Sequence, residues 1–184
     1  MKNSVILAIA LTMPAFVASA ADKANLNDAQ IAAIVVAANQ VDIDAGKTAE
    51  SKSSKNEVKA FAHRMVGDHT DVNKQATALV TKLKVTPEEN VVSKGLKSDG
   101  KINLDRLNKL NGKPFDRTYI YQEVVFHTQV LDVIDNKLLP AAKNEELKAV
   151  LDKVRPPVAF NLDQADNPTG LVEQMRETRK ENER

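Results

Sequence analysis

The sequence predicts an all-α protein, a bundle of two antiparallel helical hairpins joined by a long crossover that contains a short helix. Three observations predict it. Apolar residues recur at three- and four-residue steps over four long stretches, the spacing that collects side chains on one face of a helix. Strand formers and turn residues are scarce: aromatics are 4% of the chain and Gly occurs 6 times, against abundant Ala, Lys, Glu, Asp and Leu. The four stretches are separated by short, long and short connections. At 184 residues one domain is the default.

The first segment reads as a leader outside that domain. Lys2 supplies a positive start, Val5 to Val17 an apolar run interrupted by Pro14, and Ala18-Ser19-Ala20 a small-x-small cleavage signal. The run falls short of the about 20 apolar residues that span a bilayer. Residues 1–20 are therefore expected to be a cleaved signal peptide, which removes Lys2 and leaves as many basic as acidic side chains. No later stretch is long and apolar enough to span. With no Cys near the cleavage site to carry a lipid, the expected location is the periplasm.

The bundle domain is expected over residues 21–170. Asn27 or Asp28 caps the first helix, whose seam is Ile31, Val35, Ala38, Asp42, Ala45 and Ala49. Ser51 to Ser54 is a polar break. The second helix runs from Lys55 to Lys84 on Val58, Phe61, Met65, His69, Val72, Ala76 and Leu79, and Thr86-Pro87 ends it. Residues 85–113 hold Gly95, Gly100 and Gly112 and read as the least regular part, with a short helix over Lys101 to Leu110. The next helix runs from Pro114 to Leu138 on Ile120, Val124, His127, Leu131 and Ile134, and Pro140 closes it. The last starts near Asn144 on Leu147, Leu151, Val154, Val158, Asn161 and Ala165, where Pro156-Pro157 should kink or interrupt it. Asn167-Pro168-Thr169-Gly170 is a stop, and residues 171–184 form a charged tail.

Short loops make each hairpin antiparallel, and residues 85–113 suffice to run back along a helix of about 45 Å at 1.5 Å per residue. Two hairpins with one long crossover is the ferritin-like four-helix arrangement.

Each core helix carries one polar residue on its apolar seam: Asp42, His69, His127 and Asn161. Burying such groups unpaired costs about 1–3 kcal/mol each, so they are expected to meet as a buried polar cluster. With the first hairpin turn as base, the helical rise puts the two histidines about 4 Å apart in height, and Asp42 and Asn161 about 9 and 12 Å below His69. That is a ladder rather than one compact site. Two histidines and a carboxylate suit a divalent metal, with Glu123, four residues before His127, as a further ligand. A di-iron ferritin site needs Glu-x-x-His on two helices, and the sequence has none. A haem between His127 and Met65 or His69 would be held without covalent attachment, since there is no Cys. His63 reads as exposed, Asp68 and Asp71 as partners of nearby Lys or Arg, Asp116 as a helix cap or partner of a base, and the Tyr119 hydroxyl as lying at the bundle edge.

Phe61-Ala62-His63-Arg64-Met65-Val66-Gly67-Asp68-His69-Thr70 with Asn73, and Gly112-Lys113-Pro114-Phe115-Asp116-Arg117-Thr118-Tyr119 with His127 downstream, resemble the motifs of domain-of-unknown-function family 4142. That is a bacterial family of exported, ferritin-like proteins. The resemblance runs over nearly all the chain after the leader and implies the same fold. It brings no settled activity. Asp42 stands where the family usually has Glu, Phe126 at a position often acidic, and Asn161 in place of the usual third His.

The remaining classes thin out quickly. Balanced charge disfavours nucleic acid as a partner. Zero Cys removes thiolate sites, and there is no P-loop, dinucleotide fingerprint or Ser-nucleophile motif. Two readings stay open. One is a non-enzymatic envelope module, binding or stress-related, with a protein or small-molecule partner and no cofactor. The other is a single-metal or redox bundle using Asp42, His69 and His127.

Overall fold

The computed structural model describes residues 26–166, which form five long helices and no strands among the described residues. The expected signal peptide at 1–20 and the charged tail at 171–184 lie outside the described residues.

Helix α1 spans Asp28–Lys52. Asn27 caps it, accepting from the Gln30 N–H at 2.8 Å while Gln30 accepts in return from the Asn27 N–H. Asp28, free of the cap, reaches across the bundle end and accepts from the Lys143 and Asn144 N–H groups at 2.9 and 3.1 Å. Helix α2 spans Asn56–Leu83 and stops on Lys84, which adopts a left-handed conformation (φ 53°).

The largest departure from the sequence reading is the crossover. Residues Val91–Asn108 form one continuous helix, α3, capped by a reciprocal Asn90–Ser93 pair. It lies along α1 and runs in the same direction: Asn90 Nδ2 donates to the Gln30 carbonyl at one end, and Lys52 Nζ to the Asn108 carbonyl at the other. Gly100, which reads as a breaker, is a contact residue. A Cβ there would stand 2.5 Å from Val41 Cγ2, so glycine lets α3 close on α1.

Helix α4 spans Gly112–Val133 and continues through a π-helical turn, Ile134–Leu138, into the short α5, Leu139–Ala141. Pro140 therefore sits inside the last turn rather than ending the helix before it. The wider π turn takes up the space its ring needs against the preceding carbonyls. Helix α6, Glu145–Asp166, runs through Pro156 and Pro157 without interruption. The carbonyls these prolines leave without helical partners belong to Asp152 and Lys153, which are exposed and open to solvent.

α1 lies against α2 and α4, and α6 against α4 and α2. Two apolar clusters fill the interior. One, with Ile31, Ile34, Leu79, Leu138, Leu147 and Leu151, occupies the end where α1 and α6 begin. The other, with Val58, Phe61, Met65, Leu107, Phe115 and Tyr119, occupies the opposite end. None of the described helices is long and apolar enough to cross a membrane.

Two glycine substitutions separate propensity from packing. In a helix interior Gly→Ala is worth about 1 kcal/mol. Gly67 has open space around its Cβ position, so Gly67→Ala should raise stability by about that amount. Gly100→Ala should lower it, because the methyl meets the stiff, β-branched Val41. Chemical denaturation of the two variants checks both signs; a stabilised Gly100→Ala protein would mean that α3 does not close on α1.

Candidate functional site

Between the two apolar clusters lies a layer of buried polar side chains: Asn39 and Asp42 from α1, His69 from α2, Gln122, Glu123 and His127 from α4, and Asn161 from α6. Gly46, one turn after Asp42, brings α1 and α2 together beneath it, since a Cβ there would lie 2.9 Å from Val66 and 3.2 Å from the Ala62 carbonyl.

Both histidines are anchored by one nitrogen. His69 Nδ1 donates to Asn39 Oδ1 at 2.7 Å, and His127 Nδ1 to the Glu123 carbonyl at 2.9 Å. Those acceptors hold a proton on each Nδ1 and turn each Nε2 inward. The two Nε2 atoms face the same carboxylate oxygen: Asp42 Oδ2 is 3.1 Å from His69 Nε2 and 3.6 Å from His127 Nε2. One donor atom from each of the three residues falls within 4.8 Å of the others.

Charge is distributed unevenly. Burial pushes the His69 imidazole down, but the adjacent Asp42 carboxylate outweighs it and leaves His69 above its ordinary value. Burial pushes Asp42 up, and the two imidazoles prevail, holding it below the usual carboxylate value. His127 falls below its ordinary value, through burial first and the His69 charge second, against the pull of Asp42. Burial, reinforced by Asp42, drives Glu123 well above the carboxylate range, so this carboxyl stays protonated. These directions favour charge on His69 and Asp42, an ion pair, over charge on His127 and Glu123. In that state His127 Nε2 is a buried lone pair facing a carboxylate, acceptor against acceptor, with no donor.

Asp42, His69 and His127 meet more closely than their helical heights suggest. Every Cβ tilts toward its own helix N-terminus. α2 and α4 run opposite to α1, so the histidines lean down as Asp42 leans up, and the side chains close the gap. Glu123 stands beside the three, with Oε2 3.6 Å from His127 Nδ1, but outside the set of mutually close donors. Asn161 is buried in the same layer, yet its Nδ2 turns to Asp68 Oδ2 at 3.4 Å and its Oδ1 has no donor. Asp68 thus has Asn161 where a Lys or Arg was expected, whereas Asp71 does pair with Lys74. His63 is exposed and pairs with Glu50.

Tyr119, expected at the edge, is fully buried, and its hydroxyl lies near enough to Glu123 that the two shift one another's ionisation. Asp116 is buried with neither oxygen bonded, rather than paired with a base. Asn39 and Gln122 are the residues of this layer that sequence reasoning missed. Asn39 precedes Asp42 by three positions, and that spacing on a helix was the available signal. A chamber of about 50 Å³ opens beside Asp42 and Glu123, bordered by Asp99 and Gly100, and has room for water next to these carboxyls.

NMR of the imidazole rings in metal-free protein should separate the two histidines. His69 should keep its second proton to a pH above 6.5, and His127 should still be neutral below 6.5. Two rings titrating together at the ordinary value would contradict the arrangement.

No curated protein and no solved structure matches the chain. A family model described as "Domain of unknown function (DUF4142)" matches residues 13–167, and the chain belongs to that family.

Proposed function

We propose that this protein is an exported, ferritin-like four-helix bundle that binds one first-row divalent transition metal through Asp42, His69 and His127. The observation that carries the reading is the convergence of both imidazole Nε2 atoms on one carboxylate oxygen, with each Nδ1 already held by an acceptor. Metal-binding histidines characteristically give their other nitrogen to a carbonyl or carboxylate, which fixes ring and tautomer. Ligands about 2.0–2.1 Å from a tetrahedral zinc lie about 3.3 Å from one another. The Asp42–His69 and Asp42–His127 separations of 3.1 and 3.6 Å bracket that spacing.

A cation seated among the three would be held by the lone pair that His127 Nε2 otherwise turns on the carboxylate, by Asp42 Oδ2, and by His69 Nε2 once that ring gives up its second proton. Asn39 acts as the positioning residue for His69, and the Glu123 carbonyl for His127. Glu123 itself, protonated beside the group, is a neutral neighbour rather than a ligand. Three protein ligands leave positions for water or a small molecule, which suits a binding or metal-handling role in the envelope. The donor set is nitrogen and oxygen only, so zinc, iron and copper are the candidates, and a di-iron centre lacks its carboxylates.

Purified protein stripped with chelator and titrated with Zn²⁺ should take up one equivalent. It should also melt at a higher temperature, since a ligand at 100 times its Kd stabilises by about 2.7 kcal/mol. His69→Ala and His127→Ala should each abolish the shift, and Asn39→Ala should weaken binding about 10- to 100-fold, as loss of an outer hydrogen-bond partner does. Glu123→Gln should leave it nearly unchanged. Folded protein that takes up no metal, with melting unaltered, makes the group a structural hydrogen-bond node and removes the proposal.

A further inference from the structure

A cavity of about 440 Å³ lies between the polar layer and the end of the bundle where α1 and α6 begin. Its walls are largely aliphatic, with Ile34 from α1, Leu138 from the π turn, and Leu151 and Val158 from α6. Bundle interiors are normally close-packed, with few voids larger than a water molecule. A hollow of this volume falls within the range of ligand sites, about 300–1,000 Å³.

The two irregular stretches of the fold border this cavity. The π turn contributes Ile134 and Leu138 to its wall, and Pro157, in the α6 segment that gives up two helical hydrogen bonds, lies at its margin. π turns recur beside functional sites because they displace a helix face without breaking the helix. Here they sit where the space is.

One end of the cavity is polar. Asn39 and His69 reach it, but the Asn39 oxygen is taken by His69, and His69 Nε2 faces Asp42. Asn161 gives its amide nitrogen to Asp68. The groups left for a ligand are the Asn161 Oδ1, a buried acceptor with no donor, the carboxylate of the exposed Asp68, and the side-chain amides of Asn39 (its nitrogen) and Gln129. The Asn161 oxygen and Asp68 both accept hydrogen bonds, and Asp68 repels anions. At the π-turn end Lys137 and Asp132 offset each other in charge.

We propose that this cavity binds a small molecule with an elongated aliphatic body and a hydrogen-bond-donating head, a hydroxyl or an ammonium, seated at Asn161 and Asp68. The aliphatic body supplies affinity by leaving water. The head satisfies the orphaned Asn161 oxygen, which otherwise carries the desolvation cost of an unmade bond. The site requires no metal, and it stands or falls separately from the metal reading.

Chelator-treated protein titrated with 1-decanol, decylamine and decanoate, each below its aggregation concentration, tests the proposal by calorimetry. The alcohol or the amine should bind saturably at one per chain, and about tenfold more tightly than decanoate, the discrimination that one good hydrogen bond supplies. Which of the two binds tighter identifies the head. Asn161→Leu, which removes the unpaired amide oxygen at nearly constant volume, should erase the advantage of the alcohol, and Asp68→Asn that of the amine. Val158→Phe should fill the space and weaken all three probes. If that variant does not fold, the Asn161 and Asp68 variants still decide. Absence of saturable binding, decanoate binding as tightly as the others, or a preference unaffected by Asn161→Leu and Asp68→Asn would each overturn the proposal.

Discussion

Asp42 is a carboxylate buried from solvent, charged at neutral pH, and held so chiefly by the His69 imidazole beside it. A lone buried carboxylate costs several kcal/mol, and one close cation with further polar neighbours is what makes it tolerable. The rest of the molecule is arranged around this requirement. α1 must present Asp42 toward α2 and α4 at one level. Gly46 allows α1 and α2 to approach just below it, and the two apolar clusters fill the space on either side. Sliding any of the three helices by one turn, about 5.4 Å, would leave a charge or an imidazole among aliphatic side chains. The polar layer therefore fixes helix register, independently of any bound ion.

The same layer explains the division of labour among four titratable groups. Two carboxyls and two imidazoles share one buried layer, and they do not all ionise alike. Asp42 and His69 take the charges; Glu123 and His127 are left neutral. This pairing puts the negative charge where both Nε2 atoms point. It also keeps Glu123 out of competition, since a second carboxylate beside Asp42 would repel it. The aliphatic cavity adjoins the layer through His69 and Asn39, so the bundle joins a polar floor to an apolar chamber.

Much of this was legible in the residues, because seam periodicity is a direct consequence of helix geometry. The all-helical class followed from it, and polar residues between the seams marked the break over Ser51 to Ser54, a cap at Asn27 or Asp28, and a helix start near Asn144. Single polar residues on apolar seams pointed to Asp42, His69, His127 and Asn161. What was illegible depended on three-dimensional approach. Gly100 has poor helix propensity, and only contact with Val41 reveals why a helix needs glycine there. Rise per residue gave backbone heights but not side-chain lean, so the compact meeting of Asp42 with both histidines looked like a ladder. Asn161 looked equivalent to the others on periodicity, and its rotation toward Asp68 depends on the neighbouring helix. Pro140 looked like an end and Pro156-Pro157 like a kink or interruption because the π turn and the solvent-facing carbonyls that accommodate them leave no mark in a linear pattern.

The central claim is that two imidazole nitrogens and one carboxylate oxygen form a prepared cation site. X-ray absorption on the zinc-loaded protein tests it most directly. The account predicts a four-coordinate metal with two imidazole nitrogens at about 2.0–2.1 Å and oxygen ligands at about 2.0–2.2 Å, with the imidazole signal lost when His69 and His127 are both replaced by Ala. Coordination by oxygen alone, or an imidazole signal that survives in that double variant, would contradict it.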